Sequence, residues 1–324
     1  MKKISDYAAE AEMALRALKL SDKEPKNLYE PIVYTLSSGG KRLRPGLLMM
    51  AAESFGGEAA LEASKNAAAG IEMFHNFTLL HDDVMDKSEK RRGRESVWKK
   101  WNVSTAILSG DTMLTLATQL ITDVADDKLR TVLATFNKMA LEVYEGQCLD
   151  MDFEQDEQIS SDTYIEMIRK KTGALLGAAV AIGAIIGGAS DKDVAALTTY
   201  GEMLGVAFQI QDDWLDTFGD SATFGKPIGG DILNDKKTFL LVKAMEAEAG
   251  DVDALKAAMK ALQGEAKIKA VTRIYEKLNL NDVARQTVSF YSKQALKALK
   301  GVSLSEEAKE PFRLLVDKLT GRKK

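Results

Sequence analysis

Several residue types are scarce in this chain of 324 residues, and each scarcity excludes a class of protein. There is one cysteine, Cys148, alongside five prolines and two histidines. A single cysteine excludes an intramolecular disulfide and a thiolate metal site, and it fits a reducing compartment. Glycine and proline are too sparsely placed for a β-sandwich or a series of hairpins. We therefore expect a cytoplasmic protein without disulfides.

Strong positive charge and long apolar runs are also missing. The formal net charge of −4 argues against nucleic acid as a partner. The longest uncharged run, residues 172–190, is short for a membrane span of about 20 residues and favours a tightly packed buried helix. Residues 1–6 soon meet acidic side chains and have no apolar core, so the sequence predicts no signal peptide.

Apolar residues recur at helical spacing along nearly the whole chain, and no alternating pattern is long enough to predict a strand. The predicted helices cover residues 4–20, 47–55, 58–86, 103–122, 126–152, 160–187, 191–217, 236–248, 251–262, 266–300 and 304–320. We find no clear linker, low-complexity segment or fixed-period repeat. The predicted fold is all-α, a single large helical bundle around a central cavity, with one domain covering residues 1–324.

Two acidic motifs of the form Asp-Asp-x-x-Asp, at 82–86 and 212–216, interrupt the apolar helical pattern. Residues four apart lie one above the other on a helix, so the first and last aspartates of each motif should share a face. Most acidic runs are solvated helix faces. These two, however, are flanked by Leu, Ile, Phe or Trp. Carboxylates on the inner face of a bundle need a counter-charge, and Mg²⁺ with oxygen ligands supplies one.

Basic and polar residues recur near both motifs. They are Lys41, Arg42 and Arg44 after a Gly-Gly turn, His75 and His81, Arg91 and Arg92, Lys171 with Thr172, Gln209, and Lys226 with Lys236. Taken singly, each charge can be a solvated surface residue and each histidine a structural one. Taken together beside two acidic motifs, they predict a site that grips a diphosphate, because Arg offers a planar fork of donors and Lys a mobile charge.

These motifs and their order resemble the trans-isoprenyl diphosphate synthases, also called polyprenyl synthetases. The matching segments are Gly-Gly-Lys-Arg-Leu-Arg-Pro (39–45), His75, Leu-His-Asp-Asp-Val-Met-Asp (80–86), Arg-Arg-Gly (91–93), Gly-Asp (110–111), Glu-Gly-Gln-x-x-Asp (145–150), Lys-Thr-Gly (171–173), Phe-Gln-Ile-Gln-Asp-Asp-Trp-Leu-Asp (208–216) and Gly-Lys-Pro-Ile-Gly-Gly-Asp (225–231). The C-terminal part of the chain adds only its helical pattern.

The resemblance implies an isoprenoid synthase fold and head-to-tail prenyl transfer. An allylic diphosphate loses its diphosphate, and the double bond of isopentenyl diphosphate attacks the resulting cation. Loss of a proton then gives a chain longer by one isoprene unit. Diphosphate leaves readily only when metal ions and basic side chains neutralise its charge. The released diphosphate can take the proton, so no protein base is required.

The resemblance also implies a role for each matching residue. Three Mg²⁺ ions are expected with substrate bound, two on Asp82 and Asp86 and one on Asp212, with Asp83, Asp213 and Asp216 as supporting carboxylates. The allylic diphosphate is expected on Arg91, Lys171 and Lys226, with Lys236 joining when the predicted glycine-rich loop at 217–231 closes as a lid. Isopentenyl diphosphate is expected on Lys41, Arg44, His75 and Arg92, while Thr172 and Gln209 face the allylic cation.

Product length is predicted from the residues that precede the first motif. Phe77 and Thr78 lie five and four residues before Asp82, where a large ring would form the floor of the product cavity. The alternative is that Phe77 and Phe74 are ordinary core aromatics. A floor there predicts a short product, farnesyl or geranylgeranyl diphosphate. The first motif lacks the two-residue insertion common in bacterial farnesyl synthases, which leaves the geranylgeranyl product open.

One position departs from the family pattern. Before Lys236 the family usually has glycine, in Gly-Lys-x-Thr, whereas this chain has Asp235-Lys236-Lys237-Thr238. A carboxylate next to Lys236 competes with phosphate for its charge. The phosphate-binding role of Lys236 therefore depends on where the Asp235 carboxylate lies.

Several other functions compete with this interpretation. A terpene cyclase or head-to-head synthase shares the fold, but the basic set around Lys41 and Arg44 indicates a second diphosphate. A longer-chain synthase remains open. A non-catalytic subunit of a heteromeric synthase is expected to lose acidic or basic positions, and all are present here. A plain helical scaffold does not explain basic residues beside both motifs. From the family resemblance we expect a homodimer.

Overall fold

The computed structural model describes residues 2–156, 159–219 and 228–321. The helices are Ile4–Ala17 (α1), Lys26–Leu36 (α2), Leu43–Ala63 (α3), Lys65–Met85 (α4), Val97–Lys100 (α5), Val103–Ile121 (α6), Asp126–Gln155 (α7), Ser161–Ile168 (α8), Ala174–Gly187 (α9), Asp191–Phe218 (α10), Gly230–Leu233 (α11), Phe239–Met245 (α12), Ala249–Ala261 (α13), Gly264–Lys277 (α14), Leu280–Lys300 (α15) and Glu306–Thr320 (α16). A 3-10 turn lies at Leu20–Asp22 and a π-helical turn at Arg169–Gly173.

This architecture confirms the predicted all-α class. The strands in the described part of the chain form one small hairpin, in which Lys90–Arg91 (β1) pairs antiparallel with Arg94–Glu95 (β2). Its two central residues, Arg92 and Gly93, both have positive φ, as tight two-residue hairpin turns require. The sequence predicted only a charged loop here, because strands of two residues carry no periodicity.

Backbone contacts divide the chain into two compact units. The first contains residues 1–138 and 178–195, and the second contains residues 139–177 and 196–324. The boundaries fall inside α7, α9 and α10, so three helices contribute residues to both units. The prediction that all 324 residues act as one domain stays a prediction.

In the first unit, α4 packs against α1, α2, α3, α5 and α6. α4 lies close against α6 at Gly110, where an added Cβ would lie 2.1 Å from Nε2 of His81. The same histidine nitrogen lies 3.1 Å from the backbone oxygen of Ile107. A side chain at position 110 would push the histidine away, so Gly110 and His81 together fix the last turns of α4 against α6.

In the second unit, α12 packs against α8, α13, α14 and α15. The surrounding core is built from large apolar side chains such as Tyr164, Trp214, Phe239 and Leu255. These contacts bring α8 and α12 to the last turns of α10, which carry the second acidic motif.

Some predicted helix boundaries were wrong. The break predicted at Gly56 and Gly57 is present, because Gly57 is non-helical with a φ of 65°, but the helix predicted at 58–86 is interrupted at Ser64, and α4 begins at Lys65. The predicted helix at 266–300 is two helices, interrupted at Asn279 by a left-handed conformation. The predicted helix at 236–248 begins at Phe239, because Thr238 caps it by accepting a hydrogen bond from the Leu241 N–H.

The apolar stretch Ser161–Gly187 is long and apolar enough to cross a membrane, the one such segment in the described ranges. Of its most apolar window, however, 78% is buried inside the protein. It therefore has the character of a core helix, as the sequence predicted.

Candidate active site

The first acidic motif lies at the C-terminal end of α4. The helix ends at Met85, and the Asp86 N–H donates its last-turn hydrogen bond to the Asp82 backbone oxygen at 2.8 Å. Asp82 and Asp86 are thus one turn apart, as predicted, while Asp83 is buried. A helix C-terminus carries partial negative charge, so carboxylates there are unfavourable without cations nearby.

Arg91 supplies positive charge to this motif. Its Nε donates to Asp83 Oδ1 at 2.9 Å, and its Nη2 donates to Asp82 Oδ2 at 3.0 Å. Burial lowers the pKa of Arg91, but the hydrogen bond and the charges of the two aspartates outweigh it and raise the pKa overall. Burial also raises the pKa of Asp83 despite the arginine. The hairpin β1–β2 positions Arg91 for these contacts.

The basic turn before α3 is anchored by its central residue, Arg42. This side chain is buried and donates to Glu12 at 2.8 Å, to Glu72 at 2.6 Å and to the Leu36 backbone oxygen at 2.6 Å. Its φ is +46°, a left-handed conformation that is costly for a side chain of this size. Three charge-assisted hydrogen bonds offset that cost and fix the turn that carries Lys41 and Arg44.

Arg44 and His75 form the next part of this set. Arg44 Nη1 lies 3.2 Å from His75 Nε2, while Arg44 Nε is buried without a hydrogen-bond partner among the described residues. Burial lowers the pKa of Arg44 to about 10. It also lowers the pKa of His75 well below its usual value, and the positive charges of Arg44 and Arg92 add to that effect. An anion bound here would accept a hydrogen bond from Arg44 Nε and stabilise the positive charges of Arg44 and Arg92.

Lys41 and Arg92 are the other two residues predicted to bind isopentenyl diphosphate. Arg92 is exposed and donates to the Gly39 backbone oxygen, and its guanidinium lies against Gly40. Lys41 is exposed and borders a cavity of about 620 Å³ formed with α1 and α2. The structure thus brings together Lys41, Arg44, His75 and Arg92 around one turn, and their role in binding substrate stays a prediction.

The predicted floor residues lie on α4 below the first motif. Phe77 is buried, with its ring centroid 5.5 Å from Phe74 and 4.9 Å from His81. Phe74 in turn packs on Phe136 at 5.3 Å. Thr78 is partly buried and donates to the His75 backbone oxygen. Phe77 is therefore part of an aromatic cluster, and its role as a floor stays a prediction.

In the second unit, Asp213 is the centre of the second motif. Tyr164 donates to its Oδ2 at 2.7 Å, the Phe239 N–H donates to the same oxygen at 3.0 Å, and Gln209 Nε2 donates to Oδ1 at 3.0 Å. Burial raises the pKa of Asp213 to about 6, although the Lys236 charge and two of these hydrogen bonds oppose it. Gln209 Oε1 accepts from the Thr172 hydroxyl at 3.4 Å, so Asp213 orients the predicted cation-facing pair.

Asp216, in contrast, binds the backbone of the segment that follows α10. Its Oδ2 accepts from the Asp231 N–H at 2.9 Å, and its backbone oxygen accepts from the Gly229 N–H at 2.6 Å. It therefore holds the start of α11. Both Asp213 and Asp216 are buried, whereas Asp212 is only partly buried.

Lys171 lies in the π-helical turn between α8 and α9. Its Nζ donates to Asp150 Oδ2 at 2.6 Å, and the neighbouring Lys170 pairs with Glu145 at the same distance. Gly146 makes this approach sterically possible, because an added Cβ would lie 2.4 Å from the Lys171 backbone nitrogen. The segment at 145–150 therefore packs against the turn that carries Lys171 and Thr172 and binds its two lysines.

Lys236 follows α11, in the turn before α12. It is about half exposed, and its Nζ lies 3.8 Å from Asp231. Asp235, the residue expected to compete for its charge, instead pairs with Lys267 on α14. Lys226, the other predicted lysine of this region, lies outside the described residues.

Sequence reasoning missed several residues that position the predicted ones. Arg42 was grouped with its neighbours as a phosphate contact, although it is an internal anchor with Glu12 and Glu72. Tyr164 carries no local signal that separates it from a core tyrosine. Asp150 had a signal in the Glu-Gly-Gln-x-x-Asp segment, but that signal gave no partner.

The donor set fits Mg²⁺ held partly by a substrate. No group of three His, Cys, Asp or Glu side chains that could hold a metal by itself occurs in the described ranges. Mg²⁺ commonly takes one or two carboxylates and completes its octahedron with water and substrate phosphates. Asp82 and Asp86, one turn apart at a helix end, meet that requirement in the first unit, and Asp212 offers one carboxylate in the second.

Comparison with known proteins gives a consistent result. The family model described as polyprenyl synthetase matches residues 25–278. A geranylgeranyl diphosphate synthase of Methanosarcina mazei is 41% identical over 224 residues, 68% of each chain. A short chain isoprenyl diphosphate synthase of Methanothermobacter thermautotrophicus is 35% identical over 313 residues, covering 96% of this chain and 95% of the relative. A geranylfarnesyl diphosphate synthase of Natronomonas pharaonis is 36% identical over 284 residues, covering 83% and 82%.

Solved structures agree with these relatives. A crystal structure of geranylgeranyl pyrophosphate synthase has a TM-score of 0.92 and 40% identity, with all of both chains covered. The geranylgeranyl pyrophosphate synthase of Corynebacterium glutamicum, complexed with isoprenyl diphosphate and magnesium, has a TM-score of 0.89 and 26% identity, covering 99% of this chain and 100% of that one.

The lowered pKa of His75 predicts a pH dependence of stability. The folded protein keeps this imidazole neutral, whereas the unfolded chain protonates it near its usual pKa of about 6.5. Stability is therefore present above that pH and is lost as the pH falls below it. We expect the midpoint of thermal unfolding to fall less in His75→Gln than in the unchanged protein between about pH 7 and pH 5.5. The same difference should appear in a His81→Gln background, and equal falls in both proteins would contradict the argument.

Proposed function

Because the chain belongs to the polyprenyl synthetase family and is a trans-prenyl diphosphate synthase of the short-chain type, we propose that it condenses isopentenyl diphosphate head to tail with an allylic diphosphate. The allylic primer is dimethylallyl, geranyl or farnesyl diphosphate. The reaction forms one carbon–carbon bond, releases diphosphate and loses one proton. All 324 residues serve this one activity, which agrees with a family match that spans parts of both units.

The observation that carries the proposal is the arrangement of two basic sets in the first unit. Arg91 lies on Asp82 and Asp83, whereas Arg44 pairs with His75 and retains an unpartnered buried donor. One set therefore serves a diphosphate bound at the acidic motif, and the other serves a second anion. Two anionic substrates favour a condensing enzyme over a cyclase, which binds one diphosphate.

The first acidic motif binds the allylic diphosphate together with Mg²⁺. Asp82 and Asp86 would hold two of the ions and Asp212 a third, and a related crystal structure contains magnesium together with isoprenyl diphosphate. These residues would place Mg²⁺ where its charge would offset the charge that develops on the departing diphosphate. Arg91, Lys171 and Lys226 bind the same diphosphate, and Lys236 joins them when the lid closes.

The turn held by Arg42 binds isopentenyl diphosphate. Lys41, Arg44 and Arg92 supply charge, and neutral His75 accepts or donates one hydrogen bond without adding to the positive charge. Thr172 and Gln209 direct oxygen dipoles towards the allylic cation, and their orientation follows from the hydrogen bond between Gln209 and Asp213. The proton leaves on the released diphosphate.

The product is short, farnesyl or geranylgeranyl diphosphate. Phe77 and Thr78 lie one turn below the first motif and limit the space for the growing chain. Relatives named for geranylgeranyl diphosphate favour the twenty-carbon product, while the geranylfarnesyl relative keeps a longer one open. The other alternative is a non-catalytic subunit of a heteromeric synthase, which the retained acidic and basic side chains disfavour.

The enzyme acts in the cytoplasm as a homodimer. On α6, Val103, Ile107 and Leu108 expose apolar side chains on adjacent turns, and Leu108 is 59% exposed. On α7, Leu141, Tyr144 and Met151 form a similar stripe. Apolar stripes of this kind are typical of surfaces that a second chain covers.

Incubation with Mg²⁺, isopentenyl diphosphate and each allylic primer in turn tests the reaction. We expect elongation with at least one primer, and Asp82→Ala should lower the turnover number about a thousandfold because it removes a charge-stabilising ligand. Asp127→Ala, an exposed change on α7, is the control and should retain activity. No elongation with any primer would favour the non-catalytic subunit, and near-normal turnover of Asp82→Ala would overturn the metal assignment.

The floor makes a prediction about product length. Phe77→Ala should lengthen the product by one or more isoprene units, since it removes a ring beside the growing chain, and Thr78→Phe should shorten it. Chromatographic sizing of the products measures both. An unchanged product distribution in both variants would show that Phe77 is an ordinary core residue and does not form the floor of the product cavity.

The dimer is tested by light scattering on the purified protein. We expect the mass of two chains, and a monomer for a variant carrying Ile107→Asp with Leu108→Asp, because two buried charges would oppose the interface. Leu314→Asp, on the exposed face of α16, is the matched control and should stay dimeric. A monomeric unchanged protein would contradict the proposal.

A further inference from the structure

The segment from Gly229 to Phe239 carries Lys236 and is tied at both ends to the second acidic motif. At its start, the Gly229 and Asp231 N–H groups donate to Asp216. At its end, the Phe239 N–H donates to Asp213 at 3.0 Å. The position of Lys236 relative to the motif therefore depends on the conformation of the few residues between these two attachments.

Asp235 is the unusual residue of this segment. Its φ is +52°, in the left-handed region where glycine is at no disadvantage and aspartate is tolerated. The related family pattern has glycine at this position, so the turn itself is the expected one and the added feature is the carboxylate. A carboxylate beside Lys236 would reduce the positive charge that Lys236 presents to a diphosphate.

Lys267 on α14 holds that carboxylate. Its Nζ lies 2.7 Å from Asp235 Oδ1 and 2.8 Å from Oδ2, and it also lies 3.5 Å from the Leu233 backbone oxygen at the end of α11. The Lys267 side chain is 6% exposed, whereas that of Asp235 is 53% exposed. A buried ammonium is costly without a partner, so this pair should persist in solution.

We propose that Lys267 is a positioning residue that sequesters the Asp235 carboxylate, so that Asp235 does not join Asp231, 3.8 Å from the Lys236 Nζ, in competing with the substrate diphosphate for the Lys236 charge. Lys267 touches no substrate and acts only through Asp235. The contact compensates for the aspartate that replaces the family glycine. The inference rests on the proposed function, in which Lys236 binds the allylic diphosphate.

The ion pair between Lys267 and Asp235 also helps to fix the conformation of the turn that carries Lys236. The Asp235 carboxylate is bound by Lys267 of α14, and the Asp235 backbone N–H donates to the Ile232 oxygen at 3.3 Å. The Lys236 N–H donates to the Asp231 oxygen at 3.0 Å. With the Asp235 side chain held by Lys267, the next side chain along, Lys236, is about half exposed and its Nζ lies 3.8 Å from Asp231. Loss of Lys267 would leave Asp235 to approach Lys236 instead.

The test is a second-site rescue. Lys267→Met should raise the KM for the allylic diphosphate about fivefold, the scale of one partly exposed ion pair, with the turnover number and the KM for isopentenyl diphosphate nearly unchanged. Adding Asp235→Gly should restore the KM, because the competing carboxylate is gone and glycine adopts the left-handed turn. Lys269→Met, an exposed change two residues along the same helix, is the matched control and should leave the KM unchanged.

Binding measurements separate this inference from the proposed reaction. Calorimetric titration with inorganic pyrophosphate and Mg²⁺ requires no turnover and should show the same loss in Lys267→Met and the same recovery in the double variant. Asp235→Asn should lower the midpoint of thermal unfolding without weakening pyrophosphate binding. If Lys267→Met fails to fold, Lys267→Gln replaces it and should show a smaller loss.

A double variant as weak as Lys267→Met would overturn the proposal, since it would make Lys267 a purely structural residue. Pyrophosphate binding that is the same in every folded variant would overturn it as well. Absence of prenyl transfer in the unchanged protein, with the pyrophosphate pattern intact, would refute the proposed function and leave the role of Lys267 standing.

Discussion

Negative charge at the ends of two helices is the constraint on which the rest of the site depends. α4 and α10 each end in an Asp-Asp-x-x-Asp motif, where the last backbone carbonyls already carry partial negative charge. Three aspartates in this position are unfavourable unless cations or hydrogen-bond donors surround them. The hairpin, α8 and the segment after α10 each bring such groups to a motif.

The two motifs meet this constraint in different ways. At the first, the guanidinium of Arg91 spans Asp82 and Asp83. At the second, neutral donors serve two of the aspartates, because Tyr164 and Gln209 bind Asp213, and backbone N–H groups bind Asp216. In both motifs the middle aspartate, Asp83 or Asp213, is buried and structural. The same five-residue pattern is therefore served by a charged side chain in one motif and mainly by neutral donors in the other.

The sequence predicted the helices well where the periodic signal was uninterrupted, as in α6, α7 and α10. It failed at boundaries that depend on one residue's conformation. The non-helical Gly57 confirms the break expected at Gly56 and Gly57, but the second break, at Ser64, was not predicted. Asn279 ended a helix without any break in the periodicity, since a left-handed asparagine leaves the apolar spacing almost unchanged. The residue at which such a helix ends is decided by tertiary packing, which the apolar spacing does not report.

By itself the sequence determined the helical class, the family and the residues available for chemistry, because helical spacing and motif order are local properties. Only the tertiary structure decided which charge meets which. Arg42 was grouped with Lys41 and Arg44 in one basic turn and is buried on Glu12 and Glu72, and Asp235 was expected to compete for the Lys236 charge and instead binds Lys267. The energy of an ion pair changes steeply over a few ångströms and with burial. Those distances are set by the packing of helices far apart in the chain, which sequence spacing does not encode.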